Sequence, residues 1–189
     1  MRMGDNSILY HGAVVSVATP LVKVGRPELD FGPGFYVTHD KQQATAWAQT
    51  KASRRKDGQP ILNVYRFAED AFLSETSWKR LVFSEYSLEW LNFVAASRKG
   101  QQPWENYDWI EGGIANDSVI STVDAYVDGF ITAEQAIGQL VDADLKHQIC
   151  IRHQDVVNRF LTFIESVELL NDERIHFVAQ NGAHHHAIG

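Results

Sequence analysis

The sequence predicts an α+β fold, and two observations carry that prediction. Segments with the alternation of strands are interleaved with segments of helical spacing, but without the regular spacing of βαβ units. The composition is that of a folded domain, with 189 residues, 44% of them hydrophobic and 22% charged. At this length one domain is expected. We place it at residues 1–180, followed by a flexible tail at 181–189 that carries three adjacent histidines.

Charge and cysteine content narrow the class of protein further. The formal net charge of -7 disfavours a nucleic-acid binder that works through bulk charge. A single cysteine permits no internal disulfide, as in proteins of a reducing cytoplasm. The N-terminus lacks the apolar run of a signal peptide, and no stretch approaches 18 apolar residues. We therefore expect a cytoplasmic protein that has no membrane partner.

The first part of the chain predicts two strands separated by a sharp turn. Residues 8–11 form a short strand that ends at Gly12, where the backbone can turn or approach a ligand closely. Residues 30–38 read Asp-Phe-Gly-Pro-Gly-Phe-Tyr-Val-Thr, a glycine-proline turn that leads into a second strand. Alternation places Phe35 and Val37 on the core face of that strand and directs Tyr36 to the opposite face.

The remaining elements follow from helical periodicity, capping residues and alternation. Thr38 or Asp40 can cap a helix that runs from Asp40 to Lys56 and carries Trp47. Thr132 and Gln135 have the spacing of a capping box. Further helices are predicted at 85–98, 118–128, 132 to about 141 and 155 to about 161, and further strands at 61–67, 108–114, 147–152 and 163–169.

Four short motifs follow one another in a recognisable order. They are Leu9-Tyr10-His11-Gly12, Gly32-Pro33-Gly34-Phe35-Tyr36-Val37-Thr38, Trp47 on its helix, and the late strand with Gln148. In this order the chain resembles the ADP-ribosyltransferase superfamily, in the branch of the poly(ADP-ribose) polymerases and diphtheria toxin, whose triad is His-Tyr-Glu. It is most similar to a bacterial domain family of unknown function with a His-Tyr-Gln pattern. The resemblance covers about residues 8–168 and implies two small antiparallel sheets around an NAD cleft, flanked by helices.

The resemblance implies a role for each of five residues. His11 would bond the adenine-side ribose, and Gly12 would offer its N–H and C=O to the nicotinamide amide. Tyr36 and Trp47, 11 residues apart, would hold the nicotinamide ring between them. Gln148 would bond the 2′-hydroxyl of the nicotinamide-side ribose. The predicted catalytic residues are therefore Gln148, His11 and Tyr36, all five residues bind NAD, and no metal is expected.

Two positions depart from the pattern of the polymerases. Ala44 stands eight residues after Tyr36, where they carry a small hydroxyl residue, so one bond to the nicotinamide amide is missing. Gln148 replaces the triad glutamate. A carboxylate stabilises a developing cation by its charge, whereas an amide does so only by its dipole. Branches without this glutamate resemble mono-ADP-ribosyltransferases or inactive relatives.

The expected function is that of an NAD-dependent mono-ADP-ribosyltransferase acting on a macromolecular target, protein or nucleic acid. The similar bacterial proteins resemble toxins or phage-defence effectors, for which a neutralising antitoxin is a natural partner. Two alternatives stay open: an NAD glycohydrolase, in which water is the acceptor, and a non-catalytic module that binds NAD or ADP-ribose. A basic cluster at Lys51, Arg54, Arg55 and Lys56 either complements the helix dipole or attracts a phosphate-bearing ligand.

Three of the proposed site residues also have an ordinary structural interpretation. A lone histidine on a strand is commonly a satisfied structural residue. Trp47 on the apolar side of a helix is commonly a core residue. Gln148 on a strand is ordinarily exposed. The functional interpretation therefore depends on these residues lying close together in the folded chain.

Overall fold

A computed structural model describes residues 7–24, 29–56, 58–114, 117–141, 143 and 146–169. It confirms the α+β class, with one sheet of three strands and one of four. The predicted tail at 181–189 lies outside the described residues. The strands are β1 (Ser7–Ala13), β2 (Phe35–Val37), β3 (Ile61–Phe67), β4 (Arg80–Val82), β5 (Trp109–Gly113), β6 (His147–Ile151) and β7 (Leu161–Glu168). The helices are α1 (Lys41–Ser53), α2 (Glu69–Ser74), α3 (Leu88–Arg98), α4 (Asp117–Val127), α5 (Ala133–Leu140) and α6 (Gln154–Phe160), with a 3₁₀ turn at Val22–Val24.

The three-stranded sheet has the order β1-β3-β7, and both of its strand pairs are antiparallel. His11 lies opposite Asn63, whose side chain is fully buried. The Asn63 amide oxygen accepts from the Val17 amide at 2.8 Å and its nitrogen donates to the Val15 carbonyl at 3.2 Å. This side chain therefore fixes the path of the chain immediately after β1.

The four-stranded sheet has the order β2-β6-β5-β4. Its two inner pairings are antiparallel, but β4 runs parallel to β5, so this sheet is mixed rather than purely antiparallel as predicted. Strands β4 and β5 are parallel because the connection between them, which contains α3, returns the chain to the end of the sheet where β4 begins.

The four-stranded sheet separates two hydrophobic cores. On one face Phe35, Val37, Ile149 and Ile151 pack towards the three-stranded sheet and α6. On the other face Cys150, with Tyr36 beside it, packs against residues of α3, α4 and α5. The predicted alternation along β2 is therefore confirmed, and β6 shows the same alternation. It places Tyr36, Gln148 and Cys150 on the same face, since Tyr36 pairs with Cys150.

Helix α1 covers the outer face of the three-stranded sheet. It begins at Lys41 because the Asp40 side chain accepts from the Gln42 and Gln43 amides, as the capping pattern predicts. It ends at Ser53, three residues before the predicted end at Lys56. Within the described parts of the chain, no helix is long and apolar enough to cross a membrane.

Candidate functional site

The two sheets meet where β1 passes β2. The Tyr10 amide donates to the Thr38 carbonyl at 2.8 Å, and the Thr38 amide donates to the Tyr10 carbonyl at 3.0 Å. Backbone groups two residues apart on a strand point to the same side. The polar backbone groups of Gly12 therefore point to the side of β1 that faces β2 and α1, and not towards β3.

His11 is bound to the other signature strand through its ring. Its Nδ1 lies 2.7 Å from the Tyr36 carbonyl oxygen, and the ring packs on Phe35 with centroids 4.7 Å apart. Because a carbonyl only accepts, Nδ1 carries the proton and Nε2 is left as an acceptor. Burial, and secondly the charge of Lys51, lower the pKa of His11 to about 4, although the bond to Tyr36 opposes them. The ring is thus a neutral acceptor at physiological pH.

Lys51 contacts Gly12 directly. Its Nζ donates to the Gly12 carbonyl at 2.6 Å, and burial lowers the pKa of this ammonium group. Sequence reasoning assigned Lys51 to a basic patch and missed this contact, because the two residues are 39 positions apart. The carbonyl that the resemblance assigns to the nicotinamide amide therefore already accepts from Lys51, and a ligand amide would have to use its second lone pair or displace the ammonium group.

The Lys51→Met substitution tests the electrostatic coupling at this corner. Removing the ammonium group takes away the second cause of the low His11 pKa and leaves burial in place. We expect the His11 pKa to rise above about 4 but to stay below its ordinary value of 6.5. Titration of the imidazole ¹⁵N resonances by NMR measures this directly. A His11 pKa that stays unchanged in this variant would contradict the electrostatic effect of Lys51 on His11.

The hydroxyl of Tyr36 holds the turn that precedes its own strand. It donates to the Gly32 carbonyl at 2.6 Å and accepts from the Phe31 amide at 3.2 Å. Burial, followed by the neighbouring Cys150 and Asp30, raises the pKa of this phenol well above its usual value, so it stays neutral. The hydroxyl is engaged with the backbone, and the ring is the part of Tyr36 that can pack against a ligand.

Trp47 lies on α1 between two points where the helix is attached to strands. Gln43, one turn earlier, donates to the His147 carbonyl at 2.9 Å, and Lys51, one turn later, binds Gly12. Residues four apart share a helix face, so the partly buried Trp47 faces the strip between these two points. The structure therefore brings Trp47 to the edge where Gly12 and the start of β6 lie.

Gln148 is only 6% exposed, so the ordinary expectation of an exposed strand residue is wrong. Its Nε2 lies 3.4 Å from Oδ2 of Asp30, at the long end of hydrogen-bond distances. Oδ1 of Asp30 in turn accepts from Nη2 of Arg98 at 3.0 Å. Sequence reasoning did not select Asp30 as a site residue, because an aspartate before a glycine-proline turn is typical of turn chemistry.

Other reactive groups in the described chain have poorer settings. The Cys150 thiol is fully buried, and burial raises its pKa to about 12, so it is not a nucleophile at physiological pH. The structure as described holds no group of three or more metal-ligating side chains. The histidine tail falls outside that part of the chain.

A cavity of about 440 Å³ lies elsewhere, between the start of α3 and the end of α5. Its walls are mostly apolar and include Tyr86, Leu88, Ile137 and Leu140, but none of the five predicted site residues. Among the described residues that line it, the one carboxylate is that of Glu85, which is exposed. We therefore locate the candidate site at the junction of the sheets, where buried polar groups converge.

A family model described as "Protein of unknown function (DUF3990)" matches residues 7–163. The matched range contains all of the predicted site residues: His11, Gly12, Tyr36, Trp47 and Gln148. No curated protein and no solved structure matches the chain. The activity therefore has to be inferred from the arrangement of the site.

Proposed function

This chain belongs to the DUF3990 family of proteins of unknown function, and we propose that it is an NAD-dependent mono-ADP-ribosyltransferase within the ADP-ribosyltransferase superfamily. Its reaction would transfer ADP-ribose from NAD to a macromolecule. One observation carries the proposal. Four elements from distant stretches of the sequence meet at the junction of the sheets: His11 on β1 lies 2.7 Å from the Tyr36 carbonyl oxygen of β2. Helix α1, which carries Trp47, is attached to Gly12 through Lys51 and to β6, the strand of Gln148, through Gln43.

The chemistry of these groups suits a ribosyl donor. Nε2 of His11 is an acceptor for a ribose hydroxyl, because Nδ1 is held by the Tyr36 carbonyl. The rings of Tyr36 and Trp47 offer flat apolar faces for the nicotinamide. The backbone N–H of Gly12 points to the same side as the Tyr10–Thr38 bonds and can meet an amide oxygen.

The proposed reaction breaks the bond between the nicotinamide nitrogen and the ribose anomeric carbon. The electron pair of that bond leaves with nicotinamide, which becomes neutral, and positive charge develops on the ribose. A nucleophile of the target then attacks the anomeric carbon and releases its proton to solvent. An amide at position 148 stabilises the developing charge by its carbonyl dipole. This favours single transfers over chain elongation, for which the glutamate polarises an acceptor hydroxyl.

The presence of a glutamine at position 148 also makes NAD hydrolysis a second candidate activity. Without a carboxylate at this position, the site lacks the group that would polarise a target hydroxyl, and water can attack instead. Both activities release nicotinamide, and only transfer leaves ADP-ribose on a macromolecule. A protein that modifies a vital macromolecule would act as a toxin or phage-defence effector in the cytoplasm, restrained by an antitoxin protein. We include these roles in the proposal.

Labelled NAD tests the proposal. The protein is incubated with NAD labelled in the adenylate half and with cell lysate, and the products are digested with protease or nuclease. We expect release of nicotinamide together with label in one macromolecular fraction. Nicotinamide release without labelled product would indicate a glycohydrolase. NAD binding by calorimetry without any release would indicate a non-catalytic module, and absence of binding would contradict the proposed function.

A further inference from the structure

We infer that Asp30 is a positioning residue that orients the Gln148 amide, so that the amide oxygen is the atom presented to the nicotinamide-side ribose. The inference rests on the proposed function and adds a residue that the His-Tyr-Gln pattern does not contain. It starts from the contact between Gln148 Nε2 and Asp30 Oδ2 at 3.4 Å.

The orientation of the amide follows from the chemistry of its partner. A carboxylate only accepts hydrogen bonds, so the end of the amide that faces Asp30 has to be the NH₂ group. The amide oxygen then points away from Asp30, and among the described residues no group donates to it. A glutamine with no such partner can turn its amide over, which would present NH₂ to the ribose. With Asp30 in place, the side chain presents an acceptor, as the triad glutamate does.

Asp30 is itself held firmly by Arg98. Its Oδ1 accepts from both Nε and Nη2 of Arg98, at 3.2 and 3.0 Å, while Oδ2 faces Gln148. Arg98 is fixed in turn by Asp124, which accepts from Nη1 at 2.7 Å. The side chains of Arg98 and Asp30 are only 20% and 14% exposed. One carboxylate oxygen of Asp30 thus accepts from Arg98, and the other faces Gln148.

The same contact places a negative charge behind the amide. The NH₂ end of the dipole faces the carboxylate, so polarisation by Asp30 increases the electron density on the amide oxygen. That oxygen would lie towards the positive charge that develops on the ribose. Because Arg98 offsets part of this charge, the effect on the ribose would be smaller than that of the glutamate in the polymerases.

The test combines Asp30→Asn with Gln148→Glu and follows nicotinamide release from NAD. Asp30→Asn keeps the shape of the side chain, but its amide can donate as well as accept, so Gln148 is no longer oriented. We expect kcat to fall by about 10- to 100-fold with little change in KM, because the contact acts mainly in the transition state. Glu75→Gln is the matched control, since it removes a carboxylate from the Glu75–Arg159 pair outside the site. It should leave both constants unchanged.

The Gln148→Glu variant gives a readout that a merely structural role would not move. It is expected to keep the fold and still cleave NAD, but it sets two carboxylates against each other at about the distance of the present contact. The repulsion between two carboxylates raises the pKa of one of the two carboxyl groups. The pH profile of kcat should therefore show an ionisation above the ordinary glutamate range, and adding Asp30→Asn should return that ionisation to lower pH.

The possible failures are distinguishable. A wild-type protein that neither binds nor cleaves NAD would overturn the proposed function, and the inference with it. Active wild-type protein whose kcat is unchanged by Asp30→Asn would overturn the inference alone. Equal losses of kcat in Asp30→Asn and Glu75→Gln would show a general effect of lost ion pairs, and they would also overturn it. A pH profile of Gln148→Glu that does not change when Asp30→Asn is added would also overturn the inference.

Discussion

The His11→Asn substitution is expected to lower kcat/KM for NAD cleavage by about 100-fold while leaving the fold intact. An asparagine can place its NH₂ group close to the position of the histidine Nδ1, so it can still donate to the Tyr36 carbonyl, which now lies 2.7 Å from His11. It has no counterpart of Nε2, and the ribose loses its acceptor. The shared hydrogen bond separates the functional loss from a structural one.

Two measurements accompany the kinetics of this variant. Urea unfolding should show a loss of about 1 kcal/mol or less, because only the ring packing on Phe35 is given up. His39→Asn is the control, since His39 is exposed in the turn before α1, and it should change neither stability nor kcat/KM. Full activity of His11→Asn would contradict the role of His11.

The Gly12→Ala substitution is expected to be the most destabilising small change at the site. A Cβ atom at this position would lie 2.0 Å from the Ala44 carbonyl oxygen and 2.7 Å from the Ala48 amide nitrogen. Both are backbone atoms of α1, so the helix would have to retreat by about 1 Å or more. Overpacking of this kind costs about 3 kcal/mol. The displaced helix carries Trp47 and Lys51, so NAD binding should fall together with stability.

Gly138→Ala provides the matched control for Gly12→Ala. Gly138 lies in α5, and a Cβ atom there would have no neighbour within 4 Å. Alanine has the higher helix propensity, so this variant should be about 0.5 to 1 kcal/mol more stable in chemical denaturation. A Gly12→Ala variant that is as stable as the wild-type protein would contradict the close contact between β1 and α1.

The pKa of His11 predicts how both the unfolding free energy and the NAD affinity depend on pH. In the folded protein His11 is protonated only near pH 4, whereas the unfolded chain takes up its proton near 6.5. The unfolded state therefore binds more protons between these values, and His11 lowers the unfolding free energy as the pH falls from 6.5 towards 4. NAD affinity should show no loss attributable to His11 at pH 6, because Nε2 is still an acceptor there. Calorimetry across this range measures both trends.

Strong local signals in the sequence predicted much of the fold. The bounds of β3 were predicted as observed, and the capping box at Thr132 is present at the start of α5. The elements α2 and β4 were missed because they are short and lack such signals. Helix α2 has six residues and no side-chain cap, and β4 has three residues with no buried position. Tertiary contacts, rather than local preference, produce them.

The site could be predicted only where a motif names the residue. His11, Gly12, Tyr36 and Gln148 stand inside recognisable patterns, on the strands β1, β2 and β6, which are neighbours in the structure. Asp30 and Lys51 could not be selected from the sequence, because their partners Gln148 and Gly12 lie 118 and 39 positions away. An acidic residue in a turn and a lysine in the last turn of a helix also have sufficient local explanations. Contacts over such separations become visible only in the folded chain.

A crystal structure of the protein with NAD, or with nicotinamide where NAD is turned over, tests the central claim most directly. We expect the nicotinamide ring between Tyr36 and Trp47, with its amide at the Gly12 backbone and Lys51 displaced from the Gly12 carbonyl. Nucleotide bound in the cavity between α3 and α5, or no bound ligand under saturating conditions, would contradict the account.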